Sequence, residues 1–161
     1  MRYFLSLGSN LGDKAQNLID ALSFLKKEKI KILKCSSLYE TQPVDYPCQP
    51  WFYNQVIEAE TDLNPFDLLA LIKKIETKMG RESNASKKPR IIDIDILLAE
   101  DVVISTSQLT IPHPRLEKRN FILIPLDEMS SHVRHPLLKK TIQQLLAKSE
   151  DKAIVRKISN P

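Results

Sequence analysis

The chain has 161 residues, 42% hydrophobic and 27% charged, which sets the expectation of one soluble globular domain over residues 1–161, large enough to bury a core without disulfide or metal staples. Its formal net charge of +4 suits an anionic partner, without saying whether that is RNA, DNA or a nucleotide. No apolar run reaches membrane-spanning length, and with only Gly8, Gly12 and Gly80 the chain has neither a Walker A loop nor a G-x-G-x-x-G fingerprint.

Residues 3–7 read as a first strand, followed by a turn through Gly8-Ser9-Asn10-Leu11-Gly12. Asp13, with Gln16 three residues on, resembles a capping box for a helix in which Ala15, Leu18, Ile19, Leu22 and Leu25 recur with helical spacing and which closes at Lys26 and Lys27. Residues 29–39 read as a second strand. Residues 40–50 hold three prolines and read as an irregular loop of the kind that carries function. Residues 52–61 alternate as a strand. Asn64-Pro65 then caps a helix with Leu68, Leu69, Leu71, Ile72 and Ile75 as its apolar stripe, ending at Gly80. Residues 81–88 are polar and read as a mobile loop.

The stretch from Arg90 to Leu98 alternates as a strand rich in isoleucine. Side chains point alternately to the two faces of a strand. Asp93 and Asp95 therefore share one face with Ile91 and Leu97, and Ile92, Ile94, Ile96 and Leu98 form the core face. The two carboxylates sit roughly 6–7 Å apart at the backbone. That spacing lets both reach one divalent ion, or two ions about 3.5–4 Å apart. An exposed face with two solubilising acids fits the motif equally well. Further on, residues 102–105 and 108–111 read as a small hairpin, Pro112-His113-Pro114-Arg115 opens a short helix to Arg119, and residues 121–126 are apolar. Residues 137–148 read as a last helix with Leu138, Ile142, Leu145 and Leu146 inward, and Ile154-Val155 as a strand in the tail. The order of the core elements, strand, helix, strand, strand, helix, strand, predicts an α+β ferredoxin-like antiparallel sheet with helices on one face and a C-terminal hairpin and helix extension. Cys35 and Cys48 have neither metal-site spacing nor a disulfide-rich context, and the N-terminal apolar stretch is too short for a signal peptide, so a cytoplasmic protein is expected.

Four stretches, Ser6-Leu7-Gly8-Ser9-Asn10-Leu11-Gly12, Tyr39-Glu40-Thr41-Gln42-Pro43, Pro89-Arg90-Ile91-Ile92-Asp93-Ile94-Asp95-Ile96-Leu97 and Ile111-Pro112-His113-Pro114-Arg115, together resemble the 6-hydroxymethyl-7,8-dihydropterin pyrophosphokinases of the folate pathway. The likeness runs from Met1 to about Leu126. It implies transfer of the terminal pyrophosphate of ATP to the pterin's hydroxymethyl oxygen, with release of AMP. It implies Asp93 and Asp95 as ligands of Mg²⁺, with two ions expected, and Arg81 and Arg90 as catalytic arginines on the triphosphate. The planar fork and permanent charge of arginine suit phosphate oxygens. Leu69, Lys73, Glu76, Ile96, Thr110, His113 and Arg119 match nucleotide-side positions, and Lys87 or Lys88 stands near a loop arginine of the family. Thr41, Gln42, Pro43, Val44, Phe52, Asn54, Asp93 and Phe121 match the pterin side. Phe52 and Phe121 correspond to the two aromatics that sandwich the ring, and the amide of Asn54 has both a donor and an acceptor for its edge.

The chain departs from that pattern at Ser86-Lys87-Lys88-Pro89-Arg90, where the family often has an arginine, an aromatic, a glycine, a proline and an arginine. A lysine there cannot form the bidentate fork. Gln42 and Pro114 stand where other members carry proline and tyrosine. The general base is left open between Asp95 and a metal that lowers the alcohol's pKa. The expected partners are the two small molecules alone, with no nucleic acid or membrane, and the expected state is a monomer. A different Mg-dependent nucleotide enzyme would fit the aspartates and arginines but not the pterin-side residues. An RNA-binding ferredoxin-like module would need exposed sheet aromatics, and only 6% of the residues are aromatic.

Overall fold

A computed structural model describes residues 1–45, 47–82 and 88–158. Its centre is β1 (Arg2–Ser9), hydrogen-bonded antiparallel to β4 (Phe52–Glu60) on one side and β5 (Asp93–Ala99) on the other. Beyond β4 lie β2 (Lys31–Cys35) and β3 (Tyr39–Thr41), both antiparallel to it, and β3 carries β8 (Val155–Lys157) at the edge. The six strands form one sheet in the order β5-β1-β4-β3-β8, with β2 also on β4.

Alternation along β1 sends Tyr3, Leu5 and Leu7 to one face and Phe4 to the other. The first face is covered by α1 (Lys14–Lys27) and α2 (Pro65–Lys78), which bury Leu18, Ala21 and Leu25, and Leu68, Ile72 and Ile75, against it. Asp13 Oδ1 caps α1 by accepting the Gln16 N–H at 3.1 Å, but the Gln16 amide turns to Asp20, so the expected reciprocal box is half made. A full capping box sits instead at Thr141 and Gln144. Asn64 Oδ1 caps α2 on the Asp67 N–H at 2.9 Å, with Pro65 at the first turn.

The expectation of helices on one face is corrected here. α3 (Asn120–Ser130) and α4 (Ile142–Ala147) close the second face over Phe4, Val56, Leu97 and Leu98. Leu98 was expected on the same face as Ile92, Ile94 and Ile96. The register between β1 and β5 shifts where Phe4 faces Leu98 and Leu5 faces Ile96, leaving Leu97 as an extra residue. A bulge of this kind breaks strict alternation, so Leu97 and Leu98 both enter the second core. The strand itself begins at Asp93 rather than Arg90.

The second predicted strand is two. Ser36 takes a ladder position with its side chain, its Oγ accepting the Val56 N–H at 3.0 Å, and pairing resumes at Tyr39. Glu40 and Thr41 therefore belong to β3 and not to the irregular loop. The hairpin forms as β6 (Ile104–Ser105) and β7 (Thr110–Ile111), and the short helix as a 3₁₀ turn over Leu116–Lys118. The last helix starts at Ile142, not at residue 137. Leu137 and Leu138 are exposed in a turn whose N–H groups donate to His135 Nδ1. No described helix is long and apolar enough to cross a membrane.

Candidate active site

Asp93 and Asp95 are the first and third residues of β5, beside Gly8 and Ser6 of β1. Their shared face opens into a recessed cleft lined by Ser6, Gly8, residues 41–45, Gln49, Phe52, Asn54, Arg90, Arg119 and Phe121. All eight residues matched to the pterin side line it. A more open groove lies across the strand, between α2 and the β6–β7 hairpin, lined by Leu69, Lys73, Ile96, Thr110 and His113 among others. Asp95 lines both.

The remaining predicted nucleotide residues are placed differently. Arg119 faces the recessed cleft, where it pairs with Asp45 at 3.1 Å and lies 5.5 Å from the Phe121 ring centroid. Glu76 is buried at the end of α2, accepting Ile94 N–H at 3.3 Å and paired with Lys73 and Arg81. Lys88 lines a separate hollow with Arg81 and Arg90, and its carbonyl accepts from Arg90 Nη1 at 3.1 Å. Lys87 and most of the predicted 81–88 loop lie outside the described residues.

Both arginines expected at the triphosphate hold Asp93. Arg81 donates to Oδ1 at 2.8 Å and Arg90 to Oδ2 at 3.3 Å. Burial pulls the Arg81 pKa down, but Asp93 and Glu76 outweigh it and the net shift is upward, so its charge is fixed. Arg90 also lies 5.0 Å from the Phe52 ring centroid. The Asp95 carboxyl is pushed up to about 7, first by burial and then by the charges of Asp93 and Glu76. Such a site fits a divalent cation, which would relieve the repulsion that burial magnifies. Among the described residues no three His, Cys, Asp or Glu side chains gather as a metal site. Two carboxylates leave positions for water and phosphate oxygens, as Mg²⁺ prefers.

His113 follows the cis Ile111–Pro112 peptide bond, and its Nδ1 accepts the Arg115 N–H at 3.2 Å, which leaves the proton on Nε2. Burial first, and Arg119 next, lower its pKa to about 4; Arg115 acts in the same direction, while Asp93 and Glu117 oppose. The folded protein therefore binds fewer protons here than the unfolded chain between about pH 4 and 6.5. The stability this histidine contributes is complete above pH 6.5 and is lost as pH falls towards 4. In urea titrations the stability gap between the wild type and His113→Gln is expected to narrow over that interval. A gap that stays constant would rule out a neutral buried imidazole.

Four further cleft residues carry no signal of their own in the sequence: Ser6 and Gly8 lie within the first motif, and Asp45 and Gln49 in a loop without a recognisable pattern. Asn10, read as a turn residue, is 1% exposed and clamps the site. Its Oδ1 accepts the Arg90 N–H at 2.8 Å, and its own N–H donates to the Arg90 carbonyl at 3.1 Å. Its amide donates to Gln49 Oε1 at 2.9 Å and the Pro50 carbonyl at 3.0 Å. Single residues that join three segments leave no local signature in sequence.

An antiparallel α+β sheet in which one acidic strand separates a recessed aromatic cleft from a more open groove defines a mixed α/β protein with two concave surfaces meeting at a carboxylate. The family model of 7,8-dihydro-6-hydroxymethylpterin-pyrophosphokinase (HPPK) matches residues 4–131, and the chain belongs to that family. It is 43% identical over 141 residues to the 2-amino-4-hydroxy-6-hydroxymethyldihydropteridine pyrophosphokinase of Aquifex aeolicus, covering 88% of each chain. It is 44% identical over 152 residues to the folic acid synthesis protein fol1 of Schizosaccharomyces pombe, covering 94% of this chain and 21% of that protein. The chain thus spans about a fifth of the length of that larger relative. The crystal structure of wild-type Plasmodium falciparum HPPK-DHPS with pteroate shares the fold, with a TM-score of 0.75 at 20% identity over 91% of this chain and 44% of that one.

Proposed function

We propose that this chain transfers the pyrophosphoryl group of ATP to the hydroxymethyl oxygen of 6-hydroxymethyl-7,8-dihydropterin, releasing AMP, in tetrahydrofolate synthesis. The observation that carries the reading is Asp95, the carboxylate common to the aromatic cleft and the more open groove beside Lys73 and His113. The family assignment and the relatives' names point to the same reaction.

The recessed cleft takes the pterin. Phe52 and Phe121 supply ring faces, and stacking of this kind contributes on the order of 1–3 kcal/mol per ring. Asn54 offers its amide to the heterocycle's edge, oriented by its 2.5 Å hydrogen bond to Thr41 Oγ1. The groove takes the nucleotide, with Leu69 and Ile96 against the base, Lys73 and Thr110 on polar groups, and the His113 Nε2 proton on a phosphate oxygen. Mg²⁺, with two ions expected, bound by Asp93 and Asp95 would neutralise the triphosphate oxygens that repel an incoming nucleophile. Arg81 and Arg90 leave Asp93 for those same oxygens. Holding both substrates against one strand converts a bimolecular encounter into a positioned one, which is the larger part of catalysis in phosphoryl transfer. The oxygen–β-phosphorus bond forms as the bond from that phosphorus to AMP breaks, and the hydroxyl proton is released.

In the same reading the chain is one ferredoxin-like domain, acts as a cytoplasmic monomer and uses only small-molecule partners. If β2 and β3 are counted as one interrupted strand, the order β5-β1-β4-β2/β3 supports that topology. The test is AMP release from Mg-ATP with and without the pterin. Pterin-dependent AMP with an equal yield of pterin diphosphate is expected. ADP would mean transfer of a single phosphoryl group and a different enzyme.

Gly8 gives a second test. A Cβ at this position would stand 2.6 Å from Asn54 Oδ1, whose amide Thr41 holds in place. Gly8→Ala is expected to raise the KM for the pterin tenfold or more, about 1.4 kcal/mol, while the KM for ATP stays within twofold. Equal changes in both would contradict the assignment of the recessed cleft.

A further inference from the structure

The chain beyond α4 has no part in the reaction as described, yet it is bonded to both walls of the recessed cleft. One wall is the segment 41–44 that follows β3. The other is the start of α3, where Asn120 precedes Phe121. Asp151 meets the second wall: its Oδ2 accepts the Asn120 backbone N–H at 2.8 Å, and its carbonyl accepts from Asn120 Nδ2 at 3.3 Å. A carboxylate there satisfies an orphan donor and complements the positive end of the helix. The other carboxylate oxygen accepts the Ala153 N–H at 2.9 Å and turns the chain towards the sheet.

Ile154 then meets the first wall. Its carbonyl accepts the Gln42 N–H at 2.9 Å, and its N–H donates to Gln42 Oε1 at 3.1 Å. β8 continues this ladder, with Val155 opposite Thr41. Outside the cleft, Arg156 pairs with Glu40 and lies 5.4 Å from the Trp51 ring centroid, and Lys157 pairs with Glu128 of α3 at 3.0 Å. Asp151 and Ile154 are three residues apart, and three extended residues span at most about 10–11 Å. A tether that short limits how far Phe121 can move from residues 41–44. Without it β3 would be an edge strand, and the loop after it would be held from one side only.

We propose that residues 151–155 form a strap that sets the width of the pterin cleft, with Asp151 and Gln42 as positioning residues at its two ends. The substrate named here rests on the reading under Proposed function; the strap itself does not. Asp151→Ala removes both carboxylate acceptors, and Asp151→Asn keeps one. The alanine variant is expected to raise the KM for the pterin about tenfold, the scale of a lost helix cap, with the KM for ATP within twofold and kcat within threefold. The asparagine variant is expected to recover most of that loss. An unchanged pterin KM, or equal rises in both KM values, would overturn the proposal. Amide exchange of Thr41, Gln42 and Val44, about a hundred positions away in sequence, is expected to quicken in ligand-free Asp151→Ala and less in Asp151→Asn. Exchange at wild-type rates in both would overturn the strap. Faster exchange in an otherwise folded variant, alongside a wild type with no pterin-dependent AMP, would keep the strap and sink the assigned substrate.

Discussion

Asp95→Ala is expected to lower kcat for pyrophosphate transfer at least about 10³-fold while leaving the protein folded, because a metal-held phosphate charge contributes several kcal/mol to the barrier. The fold should survive because Asp95 adds nothing to either hydrophobic core. Its carboxyl is half-buried, and its ionised form is penalised by desolvation, by Asp93 and by Glu76. Removing it relieves that penalty, so the melting temperature of the metal-free variant should equal or exceed that of the wild type at pH 8. Mg²⁺ should stabilise the wild type in the presence of a non-hydrolysable ATP analogue, and stabilise the variant much less. Turnover of the variant within tenfold of wild type would remove Asp95 from the metal site.

Asn10→Ala is expected to combine a loss of stability of about 2–3 kcal/mol with a fall in kcat/KM of about 10²-fold. The stability cost arises because the Arg90 N–H, Gln49 Oε1 and the Pro50 carbonyl each lose a bond in a part-buried setting. The activity cost arises because Asn10 sets the backbone of Arg90, whose side chain reaches Asp93, against the loop that completes the recessed cleft. A displacement of about 1 Å at such a residue is enough for a loss of that size. Asn10→Asp keeps the acceptor for Arg90 but turns a carboxylate towards Gln49 Oε1 and the Pro50 carbonyl, so it should rescue neither. Urea unfolding and steady-state kinetics read the two effects separately. Unchanged stability would refute the clamp, and activity within threefold of wild type would refute its effect on Arg90.

The local elements and the pairing of the two aspartates on one face are legible in short-range pattern alone. Period-3.6 stripes, the Asn64-Pro65 cap and the alternation of β4 and β5 are short-range signals, fixed by how neighbouring side chains share a face. Asp93 and Asp95 fall on one face for the same reason, and the four motifs placed the chain in its family before any coordinates. Features that depend on distant partners arise only on folding. The bulge at Leu97 arises from pairing with β1 and sends Leu98 to a second core that period-2 reasoning cannot foresee. The break at Ser36 depends on a ladder bond with Val56. Residues 137–148 have helical spacing, yet the chain is helical only from Ile142, because the N–H groups of Leu137 and Leu138 are taken by His135 and Thr141 supplies the cap. The clamp at Asn10 joins residues 10, 49–50 and 90, and the strap joins residues 42, 120 and 151–154. Bonds between segments so far apart are made only when the sheet closes, which is why what holds the two walls of the cleft together could be seen only in the folded protein.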